Sequence, residues 1–236
     1  YFETFDYVVL VMEKLESDLC TVLMDNGRIE ESIAQRYVVD VVSGLQCVHE
    51  HDYAHRDLSL ENLLLRSDGR VVITDFGLCC KCVPGEMQKD MVGKDFYVAP
   101  EIYADSGAYD AKKADVWSLG IILFIMMTGC PPMDVPSQSD KRFCMFKDGK
   151  MTDLLKLWDM LSYFSKDCLD LLNKMLCVEP TNRISLEEVM MHPWIQQGLQ
   201  KENDHCCISK KQTILEGGED SEHKDMVDKS VSIKMV

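Results

Sequence analysis

No stretch of this sequence is long and apolar enough for a bilayer span. The most apolar run, Leu119 to Met127, falls far short of the roughly 20 residues a spanning helix needs. Apolar on every side, it predicts a helix buried in a large core. Basic residues are scarce: 25 Lys and Arg stand against 40 Asp and Glu in 236 residues, a net charge of −15. That balance argues against nucleic acid and membrane as partners and favours cationic ones such as basic peptides. No basic segment opens the chain, where Tyr1 to Met12 carries Glu3 and Asp6 instead, so no secretory leader is expected there. A repeating cysteine spacing is missing as well. Eleven scattered cysteines do not make a disulfide scaffold and point to a reducing compartment, the cytoplasm, with the nucleus left open. The first residue is not Met, and the sequence is expected to be a piece of a longer one. What is present is 46% hydrophobic and 28% charged residues, sufficient for one large domain with a buried core and a tail.

Tyr7 to Met12 is a β-branched run and predicts a strand. Asp18 to Leu23 predicts a short helix capped by Ser17, with Gly27 in its exit turn. From Glu30 to His49, apolar residues at Ile33, Tyr37, Val38, Val41, Val42, Leu45 and Val48 keep a helical spacing for about five turns. Leu63–Leu65 and Val71–Thr74 flank Ser67-Asp68-Gly69 and read as a hairpin. An irregular stretch follows Phe76 until about Glu101, and helical patterns return at 114–128, 151–161, 166–176 and 186–191. From Gly198 the sequence turns polar and predicts a disordered tail.

Three short motifs occur in order: His55-Arg56-Asp57 with Asn62 five residues after the aspartate, Asp75-Phe76-Gly77, and Ala99-Pro100-Glu101. Asp115 in Asp-Val-Trp-Ser-Leu-Gly, Arg183 and His192-Pro-Trp194 follow. Each triplet alone would be a turn or a patch of surface polarity. As an ordered set over about residues 5 to 197 they resemble the eukaryotic protein kinases, which implies an α+β protein-kinase-like fold, mainly the helical C-terminal lobe plus the last strand of the small lobe. Tyr97-Val-Ala-Pro-Glu101 and Glu61-Asn62 resemble the serine/threonine type. Gly129 to Met133 with Asp140 and Phe143 resembles the calcium/calmodulin-dependent-like branch.

The resemblance implies ATP and Mg²⁺ as cofactors and a protein hydroxyl as acceptor. Phosphoryl transfer needs that hydroxyl in line with the γ-phosphate and a cation to offset charge on the transferring oxygens. Asp57 would accept the hydroxyl proton, and Asn62 and Asp75 would offer Mg²⁺ the hard oxygen ligands it requires. Gly77 would give the backbone after Asp75 its freedom. Glu101 would bridge to Arg183, Asp115 would accept N–H groups of the catalytic loop, and His55 and Phe76 would stack inside an apolar spine. Leu64 would floor the adenine pocket, with Glu13 and Leu15 at its edge and Met12 as gatekeeper. Asp18 and Glu61 would meet basic residues of the substrate.

Three departures stand out. The serine/threonine kinases usually carry Lys two residues after the catalytic Asp and Thr after the activation-segment glycine. Here the residues are Ser59 and Lys94, as if exchanged, and Lys94 is expected to reach Asp57 and the γ-phosphate while Ser59 replaces the threonine. From Leu78 to Val98 there is neither Ser nor Thr, so Arg56 is expected to grip Glu86 or Asp90 in place of a phosphate. No Gly-x-Gly occurs anywhere and no Lys precedes Lys14, so most of a small lobe is absent from this sequence. The division is residues 1–15 as small-lobe remnant, 16–197 as the large lobe and 198–236 as the tail. The primary reading is a serine/threonine protein kinase; the alternative is a truncated pseudokinase or scaffold-type binding protein without catalysis.

Overall fold

The computed structural model describes residues 2–3, 8–9, 11–83, 85–105 and 107–201. Two-residue strands β1 (Phe2–Glu3) and β2 (Val8–Val9) pair antiparallel. β3 (Ser17–Asp18) runs straight into α1 (Leu19–Asn26), and α2 (Glu31–Glu50) follows. β4 (Tyr53–Ala54) precedes the hairpin of β5 (Leu63–Leu65) and β6 (Val71–Ile73), and β7 (Cys80–Lys81) returns to pair with β4. The remainder is helical: α3 (Pro100–Tyr103), α4 (Ala111–Thr128), α5 (Lys141–Lys147), α6 (Met151–Leu157), α7 (Lys166–Met175) and α8 (Leu186–Met190). This is the α+β architecture that the resemblance implies. No helix among the described residues is long and apolar enough to cross a membrane.

The core is built around α4, whose residues from Ile121 to Met127 are all buried. α2 presents Ala34, Val38, Val42 and Leu45 at three- to four-residue spacing and packs against α4, α8 and β6. α7 also packs against α4. α4 begins at an Asp110 cap, whose side chain accepts from the N–H groups of Lys112 and Lys113, and ends at Gly129 in the left-handed conformation (φ 79°). A Cβ at Gly129 would come 2.2 Å from the carbonyl oxygen of Gly27, so both the angle and the contact require glycine.

Several sequence expectations are corrected. Of the strand expected over residues 7–12, Val8–Val9 is one, paired with Phe2–Glu3; Val11 and Met12 are irregular, and Tyr7 and Leu10 lie outside the described residues. Asp18, not Ser17, caps α1: its Oδ1 accepts from Thr21 N–H at 2.8 Å, and Ser17 is held in a ladder opposite Leu65. Ile33 is exposed rather than on the packed face of α2. The helix expected over 151–161 stops at Leu157, since Asp159 takes a left-handed φ of 56°, and a 3₁₀ turn follows at Leu161–Tyr163. α3 and α5 were not expected. Asp140 caps α5 and Phe143 within it is buried, so both have structural work. Residues 193–201 are helical, and the rest of the expected tail, 202–236, lies outside the described residues.

Candidate active site

His55-Arg56-Asp57 lies between β4 and a 3₁₀ turn at Leu60–Asn62. Arg56 sits at φ 64°, a left-handed backbone that costs a non-glycine residue on the order of 1 kcal/mol or more. Asp115 of α4 holds it there. Its Oδ1 accepts Arg56 N–H at 2.8 Å and its Oδ2 accepts His55 N–H at 2.9 Å. The carboxylate is buried, and His49 Nε2 lies 2.9 Å from the same Oδ2. His49 was missed by sequence reasoning, although it stands four residues after Leu45 on the packed face of α2.

Asn62 ties the loop to the candidate base. Its Nδ2 donates to Asp57 O at 2.7 Å and to Asp57 Oδ2 at 2.9 Å. The same residue's carbonyl accepts Thr74 N–H at 3.0 Å, and His55 Nε2 lies 2.9 Å from Thr74 O. Thr74 immediately precedes Asp75, so the two acidic loops are bonded at their junction. The left-handed residue there is Asp75 (φ 62°), not Gly77. Gly77 N–H instead donates to Asp75 Oδ1 at 3.2 Å, and a Cβ on it would approach that oxygen to 3.1 Å. The edge of one ring meets the face of the other where His55 and Phe76 stack, 5.0 Å apart.

Lys94 does come back to the catalytic loop, but its partners differ from expectation. Its Nζ donates to Ser59 Oγ at 2.8 Å and lies 3.4 Å from Glu61 Oε2; it makes no hydrogen bond to Asp57 among the described residues. Burial raises the Glu61 carboxyl's pKa, but hydrogen bonds from its own backbone and Ser59, with Lys94 nearby, outweigh that and hold it below the ordinary range. Both acids expected to meet a substrate are thus engaged already, Glu61 with Lys94 and Asp18 as the α1 cap. Arg56 sends Nε to Leu78 O at 2.7 Å and Nη1 to Asp90 Oδ2 at 3.3 Å. Of the two acids offered for that grip, Asp90 fills it. Glu86 does not, its backbone N–H closing a turn onto Val83 O.

Glu101 and Arg183 form a bidentate pair at 2.7 and 2.9 Å. Arg183 also donates to Cys177 O and Lys113 O, both at 2.9 Å, and its guanidinium lies 5.1 Å from the Trp117 ring centroid. Leu64 is half-buried in β5 opposite Asp18, and Leu15 is half-buried. Met12 is 53% exposed, and Glu13 pairs at 3.5 Å with Arg66. A cavity of about 850 Å³ lies between Tyr103, Asp110 and Phe143; Glu101 and Lys113 line it, whereas Asp57, Asn62 and Asp75 do not.

The donor set suits a hard cation. The Asn62 nitrogen is committed to Asp57, which leaves its amide oxygen as an acceptor, and the Asp75 residue is exposed. Among the described residues no three His, Cys, Asp or Glu are grouped to hold a metal by themselves. Mg²⁺ does not require this, since it keeps waters and takes phosphate oxygens along with one or two protein ligands.

A model of the protein kinase domain matches residues 1–195. The chain is 36% identical over 200 residues to a probable serine/threonine-protein kinase of Dictyostelium discoideum, covering 82% of this chain and 22% of that protein. It is 37% identical over 169 residues to the human SNF-related serine/threonine-protein kinase (71% of this chain, 21% of that protein). It is 32% identical over 195 residues to CBL-interacting serine/threonine-protein kinase 5 of Arabidopsis thaliana (80% and 41%). The chain therefore spans between about a fifth and two fifths of these relatives' lengths. With the domain model covering most of its residues and its relatives of the serine/threonine type, this chain belongs to the eukaryotic protein kinase family.

Proposed function

We propose that this chain carries the catalytic centre of a serine/threonine protein kinase that moves the γ-phosphoryl group of ATP to a protein hydroxyl. The observation that supports the reading most is the Asn62 bridge, which joins the Asp57 carboxylate to the loop ending in Asp75. Bound Mg²⁺ would neutralise charge on the phosphate oxygens, and Asn62 and Asp75 are the residues to hold it. Asp57 takes the acceptor's proton as the hydroxyl oxygen bonds to phosphorus, while the bond from phosphorus to the ADP oxygen breaks and ADP leaves. Asn62 Nδ2, bonded to Asp57 Oδ2, leaves the other carboxylate oxygen to receive that proton. Leu64, Leu15, Glu13 and Met12 are the residues for the adenine edge. With Asp18 engaged as the α1 cap and Glu61 shared with Lys94, a preference for basic substrates rests chiefly on the net charge of −15. Cytoplasmic placement rests on the free thiols of the described residues.

The test is transfer of label from γ-labelled ATP to a serine/threonine peptide library by the full-length protein with Mg²⁺. Label on Ser or Thr, abolished by Asp57→Asn, supports the proposal. No transfer, or transfer indifferent to Asp57→Asn, refutes it and favours the scaffold reading.

A further inference from the structure

The phosphoryl group that this site would handle is strongly anionic, and its surroundings are acidic. The loops that carry the site hold Asp57, Glu61 and Asp75, and Arg56, the cation nearest in sequence, turns to Leu78 O and Asp90. A cation for the phosphate must come from another segment. Lys94 is placed for this. Gly93 at φ 112° lets the activation segment pass so close that a Cβ there would lie 3.5 Å from Arg56 O. The N–H groups of Tyr97 and Val98 then close a turn onto Lys94 O at 2.9 and 3.0 Å, fixing the backbone from which the ammonium projects. Lys94 and Asp57 line one small cavity.

Ser59 is the anchor. It starts the 3₁₀ turn at Leu60–Asn62, yet its side chain makes no capping bond there. Although the residue is fully buried, its Oγ accepts from Lys94 Nζ. The second tie, to Glu61 at 3.4 Å, joins side chains 42% and 48% exposed. A pair so exposed contributes little and is readily exchanged, whereas the bond to a buried hydroxyl is retained.

We infer that Lys94, anchored by Ser59, supplies from the activation segment the cation that faces the transferred phosphoryl group. This rests on the phosphotransferase reading above. When nucleotide arrives, the ammonium turns from Glu61 to the γ-phosphate with Ser59 as its pivot. It stays protonated throughout, the acceptor's proton going to Asp57. Lysine serves here because a point charge on a flexible stem can approach from either loop.

The experiment compares the affinities of the full-length protein for MgATP and MgADP, which differ by the γ-phosphate alone. Thermal midpoints and label transfer are read alongside. The variants are Lys94→Met, Lys94→Arg and the exchanged pair Ser59→Lys with Lys94→Ser. Lys94→Met lowers the ATP-to-ADP affinity ratio about tenfold, the effect of one charge-assisted bond. Lys94→Arg keeps part of the ratio and the exchanged pair recovers most of it, with transfer following in the same order. An unchanged ratio in Lys94→Met overturns the inference. So does equal weakening of both nucleotides with a lower thermal midpoint, which is the signature of a merely structural tie. Binding of neither nucleotide by the unmodified protein overturns the phosphotransferase reading itself, and this inference with it.

Discussion

Replacing Glu101 by Gln removes one charge and almost no volume from the pair that fastens α3 to the segment after α7. The Arg183 side chain is 0% exposed and that of Glu101 9% exposed, so no solvent takes over the guanidinium when its carboxylate is neutralised. Breaking a buried pair from one side costs about 3–5 kcal/mol, because the remaining charge is uncompensated. Here the low end applies, about 3 kcal/mol: Arg183 keeps the carbonyls of Cys177 and Lys113 and the Trp117 ring, and Gln still accepts one bond. Against a domain stability of about 5–15 kcal/mol this is a large fraction. Urea unfolding is the assay, with the loss read as a shift of midpoint at constant slope. Because the pair is shielded, 1 M salt should leave the difference between wild type and variant nearly unchanged. A loss under about 1 kcal/mol, or one that salt abolishes, would mean the pair behaves as a surface bridge and the reasoning is wrong.

Other expectations follow from local geometry. Asp90 is 69% exposed, so Asp90→Asn should leave global stability within about 1 kcal/mol while amide exchange quickens selectively between residues 79 and 92; unchanged exchange there would remove Asp90 as the built-in anion for Arg56. Gly129→Ala places a Cβ against Gly27 O at a left-handed φ and should cost more than the roughly 1 kcal/mol of an ordinary glycine substitution, read as a lowered thermal midpoint. Burial pushes the Cys82 thiol up to about 12 and raises those of Cys80 and Cys168, so alkylation at pH 8 should spare these and, among the cysteines of the described residues, mark exposed Cys47 first. A raised folded-state pKa is stability present below the unfolded thiol's value and lost as pH climbs through the folded one. The thermal midpoint should therefore fall from about pH 9 upward, and a flat profile to pH 11 would contradict the burial.

The elements legible in the sequence were those whose signal is local and long. The apolar run within α4, the period of α2 and the hairpin around Gly69 each declare themselves within one segment. β4 and β7 escaped because two-residue strands are defined by a partner 28 residues away, Tyr53 opposite Lys81, and carry no pattern of their own. The motifs at Asp57, Asn62 and Asp75 were readable by order and spacing. Their backbone was not: the left-handed angles at Arg56 and Asp75 are imposed by carboxylate and carbonyl partners from other elements, while the visible glycine at 77 takes an ordinary conformation. The exchange at 59 and 94 was legible as residue types. That Lys94 meets Ser59 and Glu61 instead of Asp57 depends on where a flexible stem ends, 35 residues from its partner. Asp18 likewise turned out to be a cap, because a carboxylate before a helix finds the free N–H groups first.

The most direct test of the central claim, a metal–nucleotide site at Asn62 and Asp75, is the electron-spin resonance of Mn²⁺ titrated into the full-length protein with ATP. The account predicts loss of the free-ion signal on adding protein to Mn²⁺ and ATP, beyond that caused by ATP alone. Asp75→Asn and Asn62→Leu should restore it, and Asp90→Asn should not. A signal that the protein leaves unaltered, or one that Asp75→Asn and Asn62→Leu do not change, contradicts the claim.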